Sequence, residues 1–206
     1  MPRKAVLLLV AVLVAAAVGA GLLASAKPPS SEPPAPAAVP AERARSLAPS
    51  TASLDAALRE LDLVKPSRAK SAEDFTLAAL NGGTFSLADQ RGKIVLINFW
   101  ATWCPPCLEE MPAMERLWQK HKDSGFVLVA VSVDTDPKKV VPFVTEHKLT
   151  FPIALDPSMG VADKYGVRAL PSSFIVDKGG LMAGLALGPR QWDSRASHRL
   201  VETMVR

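Results

Sequence analysis

Apolar residues are grouped along the chain in a pattern that predicts alternating strands and helices from residue 51 onward. Two nearly uninterrupted apolar runs, over 94–99 and 126–133, are typical of parallel strands that are buried on both faces. Between them, apolar residues at helical spacing predict a helix over 105–120. These three elements together predict a right-handed strand–helix–strand unit at the centre of a domain.

Weaker patterns predict the elements on either side of this unit. In chain order they are a helix over 53–63, a hairpin from 75–77 and 84–87, a helix that begins at Asp136-Pro137, a strand over 151–155, a helix from Asp156-Pro157 to Gly166, a hairpin from 172–176 and 181–187, and a helix over 194–205. The predicted fold class is therefore α/β, with a central mixed β-sheet and helices on both of its faces.

The segment over 5–26 contains no charged residue and is nearly all Ala, Val and Leu. As a helix it would span about 33 Å, which is enough to cross a bilayer core of about 30 Å. Arg3 and Lys4 precede it, so we expect the rest of the chain on the exported side. The segment is either an uncleaved anchor, which its length favours, or a signal peptide that is cleaved after Ala24-Ser25-Ala26.

Residues 27–50 differ from both neighbouring segments, because 17 of the 24 are Pro, Ala or Ser. Such a segment buries too little apolar surface to fold, and we interpret it as a linker. The predicted organisation is 1–26 membrane anchor or signal peptide, 27–50 linker, 51–70 short helix and lead-in, and 71–206 folded domain.

The charge of the chain gives no indication of nucleic-acid binding. The net charge is +4, and it includes Arg3 and Lys4 before the apolar segment. The sequence has no basic run with interleaved aromatic residues, so nucleic acid is not an expected partner.

The chain contains two cysteines, and both lie in the sequence Trp103-Cys104-Pro105-Pro106-Cys107. A C-x-x-C between a predicted strand and its helix indicates thiol–disulfide exchange. A purely structural disulfide is a weaker interpretation, because so short a loop removes little entropy from the unfolded chain. A zinc site is also disfavoured, since a second C-x-x-C is absent and the three histidines are scattered. We therefore expect no metal and no cofactor.

Cys104 is the expected attacking sulfur, since the N-terminus of a helix favours a thiolate and lowers the pKa of a thiol. Cys107, one turn into the helix, would then resolve the mixed disulfide and would need a proton acceptor. Glu110 lies three residues further on the same helix face and is the candidate base. From spacing alone, it could equally be a first-turn carboxylate that complements the helix dipole. Trp103 is a candidate contact surface for the substrate.

Asp134 and Asp136 follow the second long apolar run and precede a predicted helix. Two carboxylates at this spacing resemble metal ligands. We interpret them instead as helix caps, because Asp is a preferred residue at helix N-termini.

Several ordered motifs resemble the TlpA/ResA family, the membrane-tethered thiol–disulfide oxidoreductases of bacteria, which have a thioredoxin-like fold. The strongest motif covers 92–112 and reads GKIVLINFWATWCPPCLEEMP. Further matching blocks are Phe151-Pro152, Asp156, Tyr165-Gly166-Val167 and Leu170-Pro171-Ser172-Ser173-Phe174. The resemblance covers about 71–206 and implies a thioredoxin core with an added N-terminal β-hairpin over 74–87 and a strand–helix insert over 140–165.

The resemblance also assigns roles to residues of this chain. It implies that Cys104 is the nucleophile, Cys107 the resolving cysteine and Glu110 the active-site glutamate. It implies that Pro171 is a cis proline that faces the disulfide. Asn98 stands where thioredoxins proper have a buried aspartate, which leaves Glu110 as the proton acceptor. The expected substrate-binding residues are Trp103, Pro105, Pro106, Leu170 and Pro171.

The resulting hypothesis is an exported, membrane-anchored protein disulfide reductase at the periplasmic face of the inner membrane, or one released into the periplasm if the segment is cleaved. The expected partners are a disulfide-bearing protein substrate and a membrane thiol transporter that donates electrons. Members of the resembling family serve cytochrome c maturation or copper-site assembly. Two alternatives remain, a metallochaperone that binds Cu(I) between its thiolates and a non-catalytic redox sensor.

Overall fold

The computed structural model of the protein describes residues 51–206. The predicted anchor over 1–26 and the linker over 27–50 lie outside the described residues. Within 51–206, none of the helices combines the length and the apolar character that crossing a membrane requires.

A seven-stranded mixed sheet forms the centre of the described domain. Its strands are β1 (Thr76–Ala79), β2 (Thr84–Ser86), β3 (Ile94–Trp100), β4 (Phe126–Ser132), β5 (Ile153–Leu155), β6 (Ser172–Val176) and β7 (Met182–Leu187). They are arranged in the order β2-β1-β5-β4-β3-β6-β7. The pairs β3/β4 and β4/β5 are parallel, whereas the other neighbouring pairs are antiparallel. The predicted α/β class with a mixed sheet is confirmed.

Five α-helices are described alongside this sheet. They are α1 (Thr51–Glu60), α2 (Pro105–His121), α3 (Val140–Glu146), α4 (Gly160–Lys164) and α5 (Arg195–Val205). Helix α2 packs on β4, and α5 contacts β3, α2 and α1. The two predicted hairpins, β1/β2 and β6/β7, are both present and antiparallel.

The two long apolar runs form β3 and β4, and every residue of both strands is buried. Their parallel pairing places Trp100 opposite Ser132 at the carboxyl ends of the strands. The Val133 N–H then donates to the carbonyl of Trp100 at 2.9 Å. Because the carboxyl ends of parallel strands meet at one edge of a sheet, the loops that follow β3 and β4 are neighbours. The C-x-x-C follows β3 at this edge.

Helix α1 packs against α5 and lies close to β7. The pattern predicted it over 53–63, and the structure has it at Thr51–Glu60, with Leu58 and Leu61 buried. A Cβ atom on Gly184 of β7 would lie 3.1 Å from Cδ2 of Leu58, so glycine allows α1 to approach the sheet closely. After α1 the chain pairs with the outer edge of β7 through Val64.

Two predicted helices differ from the structure at their starts. The helix expected from Asp136 begins as a 3₁₀ turn, Pro137–Lys139, which leads into α3, and the Asp136 side chain accepts from the N–H of Lys138 at 3.1 Å. The helix expected from Asp156 begins only at Gly160, because Met159 adopts a left-handed conformation with φ of 58°. A helix cannot continue through such a residue.

Asp156 nevertheless stabilises α4 from outside the helix. Its carboxylate is buried and accepts from the N–H groups of Val161 and Ala162, both at 2.9 Å. These N–H groups belong to the first turn of α4 and have no partner within the helix. Tyr165 is the C-cap residue, and Gly166 follows it with φ of 70°, so the predicted end of this helix is confirmed.

Replacement of Asp156 by Ala is expected to lower the free energy of unfolding by about 1–2 kcal/mol, because it leaves two buried N–H groups without acceptors. Urea unfolding at neutral pH measures this loss. The matched control is Asp136→Ala, which removes an exposed cap that accepts from one N–H group. The control should cost about 0.5 kcal/mol or less, and equal losses in the two variants would contradict the interpretation.

Candidate active site

The two cysteines lie at the junction of β3 and α2 and form a disulfide. The chain leaves β3 at Trp100 and turns so that the N–H of Cys104 donates to the carbonyl of Ala101 at 3.2 Å. Cys104 is the N-cap residue of α2, as predicted. Its sulfur is bonded to that of Cys107, and the two Cα atoms are 5.3 Å apart. Cys104 retains 5 % exposure and Cys107 none, so a partner can approach the sulfur of Cys104 first.

A groove of about 450 Å³ opens beside Cys104. Trp103 forms one side and is 65 % exposed, which makes it the most exposed large apolar side chain described. The groove is mostly apolar and is lined by Trp103, Cys104, Pro105, Val133, Met159, Val167, Arg168, Ala169 and Leu170. Of the expected substrate-binding residues, the structure therefore brings Trp103, Pro105 and Leu170 together. Pro106 and Pro171 are not among the lining residues.

Pro171 follows a cis peptide bond with Leu170, as the family resemblance implies. The residue is buried, and its carbonyl accepts from the N–H of Gly188 at 2.9 Å. The cis bond lies at the start of β6, beside β3, and Leu170 on its other side reaches the groove. Leu170 thus lines the groove, whereas Pro171 is buried beside it.

Glu110 lies three residues after Cys107 on α2 and is only 3 % exposed. Its Oε1 accepts from Nδ2 of Asn98 at 2.8 Å. Its Oε2 accepts from the backbone N–H of Arg190 at 3.0 Å and from the indole N–H of Trp192 at 2.9 Å. Such burial does not suit a first-turn carboxylate that merely complements the helix dipole, which would remain in solvent.

Burial raises the pKa of the Glu110 carboxyl from its ordinary value of 4.5 to about 7. Desolvation disfavours the charged form, and it outweighs the three N–H donors, which favour that form. A carboxyl group with a pKa near neutral pH can accept and release a proton under ordinary conditions. Glu110 therefore has the properties of a general acid–base group.

Asn98 connects Glu110 to the neighbouring strand. Its Nδ2 also donates to Oγ of Ser173 in β6 at 2.9 Å. Within the described residues, the buried Oδ1 of Asn98 has no hydrogen-bond partner.

A second cavity, also of about 450 Å³, lies on the side of α2 away from the groove and is lined in part by Glu110. It lies between the end of α1, the middle of α2 and the segment that follows β7. Its charged lining residues are Glu60, Asp62, Glu109, Glu110 and Arg190. This cavity shares no lining residue with the groove beside Cys104, so Glu110 can exchange protons with solvent without using the groove.

The prediction that Asp134 and Asp136 both cap a helix is wrong for Asp134. Asp136 does cap the following turn. Asp134 is buried and instead accepts hydrogen bonds from Thr102 and Ser132, because its side chain lies under the loop that precedes Cys104. Among residues 51–206, no group of three or more Cys, His, Asp or Glu side chains is placed to bind a metal ion.

Three partners of the Glu110 and Asn98 pair were not predicted from the sequence. Ser173 appeared only as part of a matching motif, whereas Arg190 and Trp192 were not singled out. The latter two residues lie about 80 positions after Glu110 and reach it only because the segment after β7 returns beside α2. No periodicity or local motif in the sequence indicates such a contact.

The chain is similar to known thiol–disulfide oxidoreductases and thioredoxin-like proteins. The sequence model described as the AhpC/TSA family matches residues 69–184. The protein named thiol-disulfide oxidoreductase ResA of Bacillus thuringiensis (strain Al Hakam) is 39 % identical over 127 residues, which cover 62 % of this chain and 73 % of that protein. The thioredoxin-like protein YneN of Bacillus subtilis (strain 168) is 42 % identical over 122 residues, 58 % of this chain and 71 % of that protein.

The solved structures include the same type of fold. A crystal structure of a thiol:disulfide interchange protein of the thioredoxin family from Chlorobium tepidum TLS superposes with a TM-score of 0.60 at 28 % identity, over 68 % of this chain and 99 % of that one. The predicted resemblance to ResA-like proteins is therefore confirmed. With a family match over more than half of its residues and a seven-stranded thioredoxin-like sheet, the chain belongs to the AhpC/TSA family.

Proposed function

We propose that this protein is a thiol–disulfide oxidoreductase that reduces protein disulfides through Cys104 and Cys107. The observation that carries the proposal is the disulfide at the N-terminus of α2, with a buried carboxyl group one turn further along the same helix. The relatives named ResA and the thioredoxin-family structure support it.

The first step of the proposed reaction is the attack of the Cys104 thiolate on a substrate disulfide. A bond forms between Cys104 and one substrate sulfur, and the other substrate sulfur leaves as a thiolate. The start of the 17-residue helix α2 stabilises the attacking thiolate. Trp103 and Leu170 on the walls of the groove would contact the chain that carries the disulfide.

In the second step, the thiolate of Cys107 attacks Cys104, the mixed disulfide breaks, and the second substrate sulfur leaves. The net result is one reduced substrate disulfide and one Cys104–Cys107 disulfide, which is the state in this structure. Cys107 is fully buried and must first lose its proton. Glu110 would accept this proton and release it through the second cavity.

The cellular setting is part of the proposal. The apolar segment and the proline-rich linker would place the domain outside the cytoplasm, anchored to the inner membrane or released if cleaved. In that oxidising compartment, a reductase must itself be reduced again, so we propose a membrane thiol transporter as electron donor. The substrates would be protein disulfides, including those of cytochrome c maturation or copper-site assembly.

Replacement of Cys107 by Ser is expected to abolish turnover and to trap the substrate on Cys104. Without the resolving thiol the first step still occurs, so a mixed disulfide accumulates. Non-reducing electrophoresis and mass spectrometry of the full-length protein, mixed with a disulfide-bearing protein, measure the trapped species. The control Cys104→Ser should trap nothing. Trapping on Cys107 in that control, or turnover in either variant, would contradict the assigned roles.

The reduction potential of the metal-free protein distinguishes this function from the alternatives. A dedicated reductant should have a potential below the glutathione range of about −220 to −260 mV. A potential above that range would indicate an oxidant or a sensor. Tight binding of one Cu(I) per reduced protein, together with no catalytic turnover, would instead favour the metallochaperone.

A further inference from the structure

Asp134 is a buried carboxylate that the proposed reaction does not use. It is 2 % exposed and lies just after β4. Its Oδ1 accepts from Oγ1 of Thr102 at 2.6 Å, and its Oδ2 accepts from the N–H of Thr102 at 3.0 Å and from Oγ of Ser132 at 2.8 Å. Burying a carboxylate is costly unless its oxygens receive such hydrogen bonds, so the arrangement indicates a specific role.

Thr102 is the middle of the turn that connects β3 to Cys104. The carbonyl of Ala101 on one side of it accepts from the N–H of Cys104. The turn crosses the carboxyl edge of the sheet, where the loops after β3 and β4 are neighbours. Asp134 therefore ties the turn that carries the Cys104 sulfur to the adjacent strand through both the backbone and the side chain of Thr102.

We propose that Asp134 is a positioning residue that holds the sulfur of Cys104 in place at the start of α2 and thereby sets the rate of its attack on a disulfide. The inference rests on the proposed function only in taking Cys104 as the attacking sulfur. It is independent of Glu110, which serves the second step.

Thiol–disulfide exchange requires accurate placement of the attacking sulfur relative to the disulfide. An attacking atom that is displaced by about 1 Å can lose about 100-fold in rate. Without Asp134, the N–H and the hydroxyl of Thr102 lose their acceptors, and the turn before Cys104 loses this attachment to β4. Pro105 and Pro106 contribute no N–H groups at the start of α2, so the hydrogen bonds from Thr102 to Asp134 add to the few local ones that hold this turn.

The charge of Asp134 has a separate effect. A negative charge near a thiol disfavours its thiolate. Among the described residues that line the groove beside Cys104, Arg168 is the charged one, and its side chain is 77 % exposed. Glu109 and Glu110 on α2 are the other carboxyl groups close in sequence to the cysteines. Substitutions of Asp134 and Thr102 can separate the effect of Asp134 on the position of Cys104 from the effect of its charge.

The test uses three variants of the full-length, reduced protein. Asp134→Ala removes both the acceptor oxygens and the charge. Asp134→Asn keeps the shape, since its carbonyl can accept from the Thr102 N–H and the Thr102 hydroxyl can turn to accept from the amide. Thr102→Val removes only the hydroxyl contact. The readouts are the rate of alkylation of Cys104 by iodoacetamide as a function of pH, located by mass spectrometry, and the rate of attack on a small aromatic disulfide.

We expect Asp134→Ala to slow the attack by about tenfold or more, Thr102→Val by a smaller factor, and Asp134→Asn to change it least. In Asp134→Asn, the alkylation midpoint should move to lower pH, because the carboxylate that binds Thr102, two residues before Cys104, no longer disfavours the thiolate. Asp136→Ala, which removes the exposed cap two residues later, should match the wild type in both readouts.

The inference is overturned if Asp134→Ala and Thr102→Val attack at the wild-type rate, whatever their alkylation midpoints and even when their stability to urea is lower. If Asp134→Ala does not fold, wild-type behaviour of both Asp134→Asn and Thr102→Val overturns it equally. A wild-type protein whose Cys104 does not attack the disulfide at all would instead contradict the proposed function, so the two failures are distinguishable.

Discussion

The variant Glu110→Gln is expected to lose about 10²- to 10⁴-fold in the rate of the second step. Above pH 7 the same variant should unfold at a higher urea concentration than the wild type. The loss of rate follows because an amide cannot take the proton of Cys107. The gain in stability follows because burial makes the charged carboxylate costly. Activity and stability should thus change in opposite directions at one residue.

The direction of the stability change follows from the pKa of Glu110 in the folded and in the unfolded protein. In the folded protein the pKa of Glu110 is about 7, and in the unfolded chain it is near the ordinary value of 4.5. Below pH 4.5 the carboxyl group is protonated in both the folded and the unfolded protein, so it does not change the free energy of unfolding. Between pH 4.5 and 7 the unfolded chain releases its proton while the folded protein keeps it, so the folded state loses stability as pH rises. At about 1.4 kcal/mol per pH unit, this loss amounts to about 3 kcal/mol.

Urea unfolding at pH 4 and pH 8 measures the effect. Wild type and Glu110→Gln should have nearly equal free energies of unfolding at pH 4, where the protonated carboxyl group resembles an amide. At pH 8 the variant should be more stable by about 3 kcal/mol. Glu109→Gln is the matched control, since Glu109 is the exposed neighbour on the same helix and should leave the difference between the two pH values unchanged. The same difference in both variants would contradict the buried-carboxyl interpretation.

Strands β3 and β4 could be predicted from sequence because all of their residues lie in the apolar interior. All seven residues of β3 and all seven of β4 are buried, so their sequences are nearly continuous apolar runs. The position of the C-x-x-C at the start of α2 followed from the same pattern. The start of α4 could not be predicted, since it depends on the left-handed backbone of Met159.

The candidate site was predictable along α2 but not across the sheet. Cys104 caps α2 and Cys107 and Glu110 lie within it, so the spacing of Cys107 and Glu110 indicates their common face. Two of the three donors to Glu110 come from the segment after β7, and the carboxylate that accepts from Thr102 comes from the end of β4. These contacts depend on strand order, which the residue pattern does not specify. The cis bond before Pro171 was implied only by the family resemblance.

Arg190 connects the surroundings of Glu110 to the end of α1. Its backbone N–H donates to Glu110, while its guanidinium group donates to the carbonyls of Leu61 and Asp62 at 2.8 and 2.9 Å. The guanidinium also donates to the carbonyls of Leu187, the last residue of β7, and of Pro189, both at 3.0 Å. One residue thus joins the end of α1 to the loop that donates to the buried carboxyl group.

Replacement of Arg190 by Met is expected to lower the free energy of unfolding by about 2–3 kcal/mol, because several carbonyl groups lose a charged donor together. The apolar stem of Arg190 is retained in Met, so the loss measures the guanidinium contacts rather than packing. Limited proteolysis should also cut more rapidly between α1 and β1, since α1 loses its attachment to the loop after β7. Urea unfolding and the sites of cleavage measure these two effects.

Arg116→Met is the matched control for this prediction. Arg116 pairs with Asp193 on the surface and is 59 % exposed, so its removal should cost about 0.5 kcal/mol and leave proteolysis unchanged. If Arg190→Met and Arg116→Met lose the same stability, the guanidinium of Arg190 is an ordinary surface group. If instead Arg190→Met also changes the pH dependence of the second step, the attachment of α1 influences the proton acceptor itself. That result would make α1 a functional part of the active site.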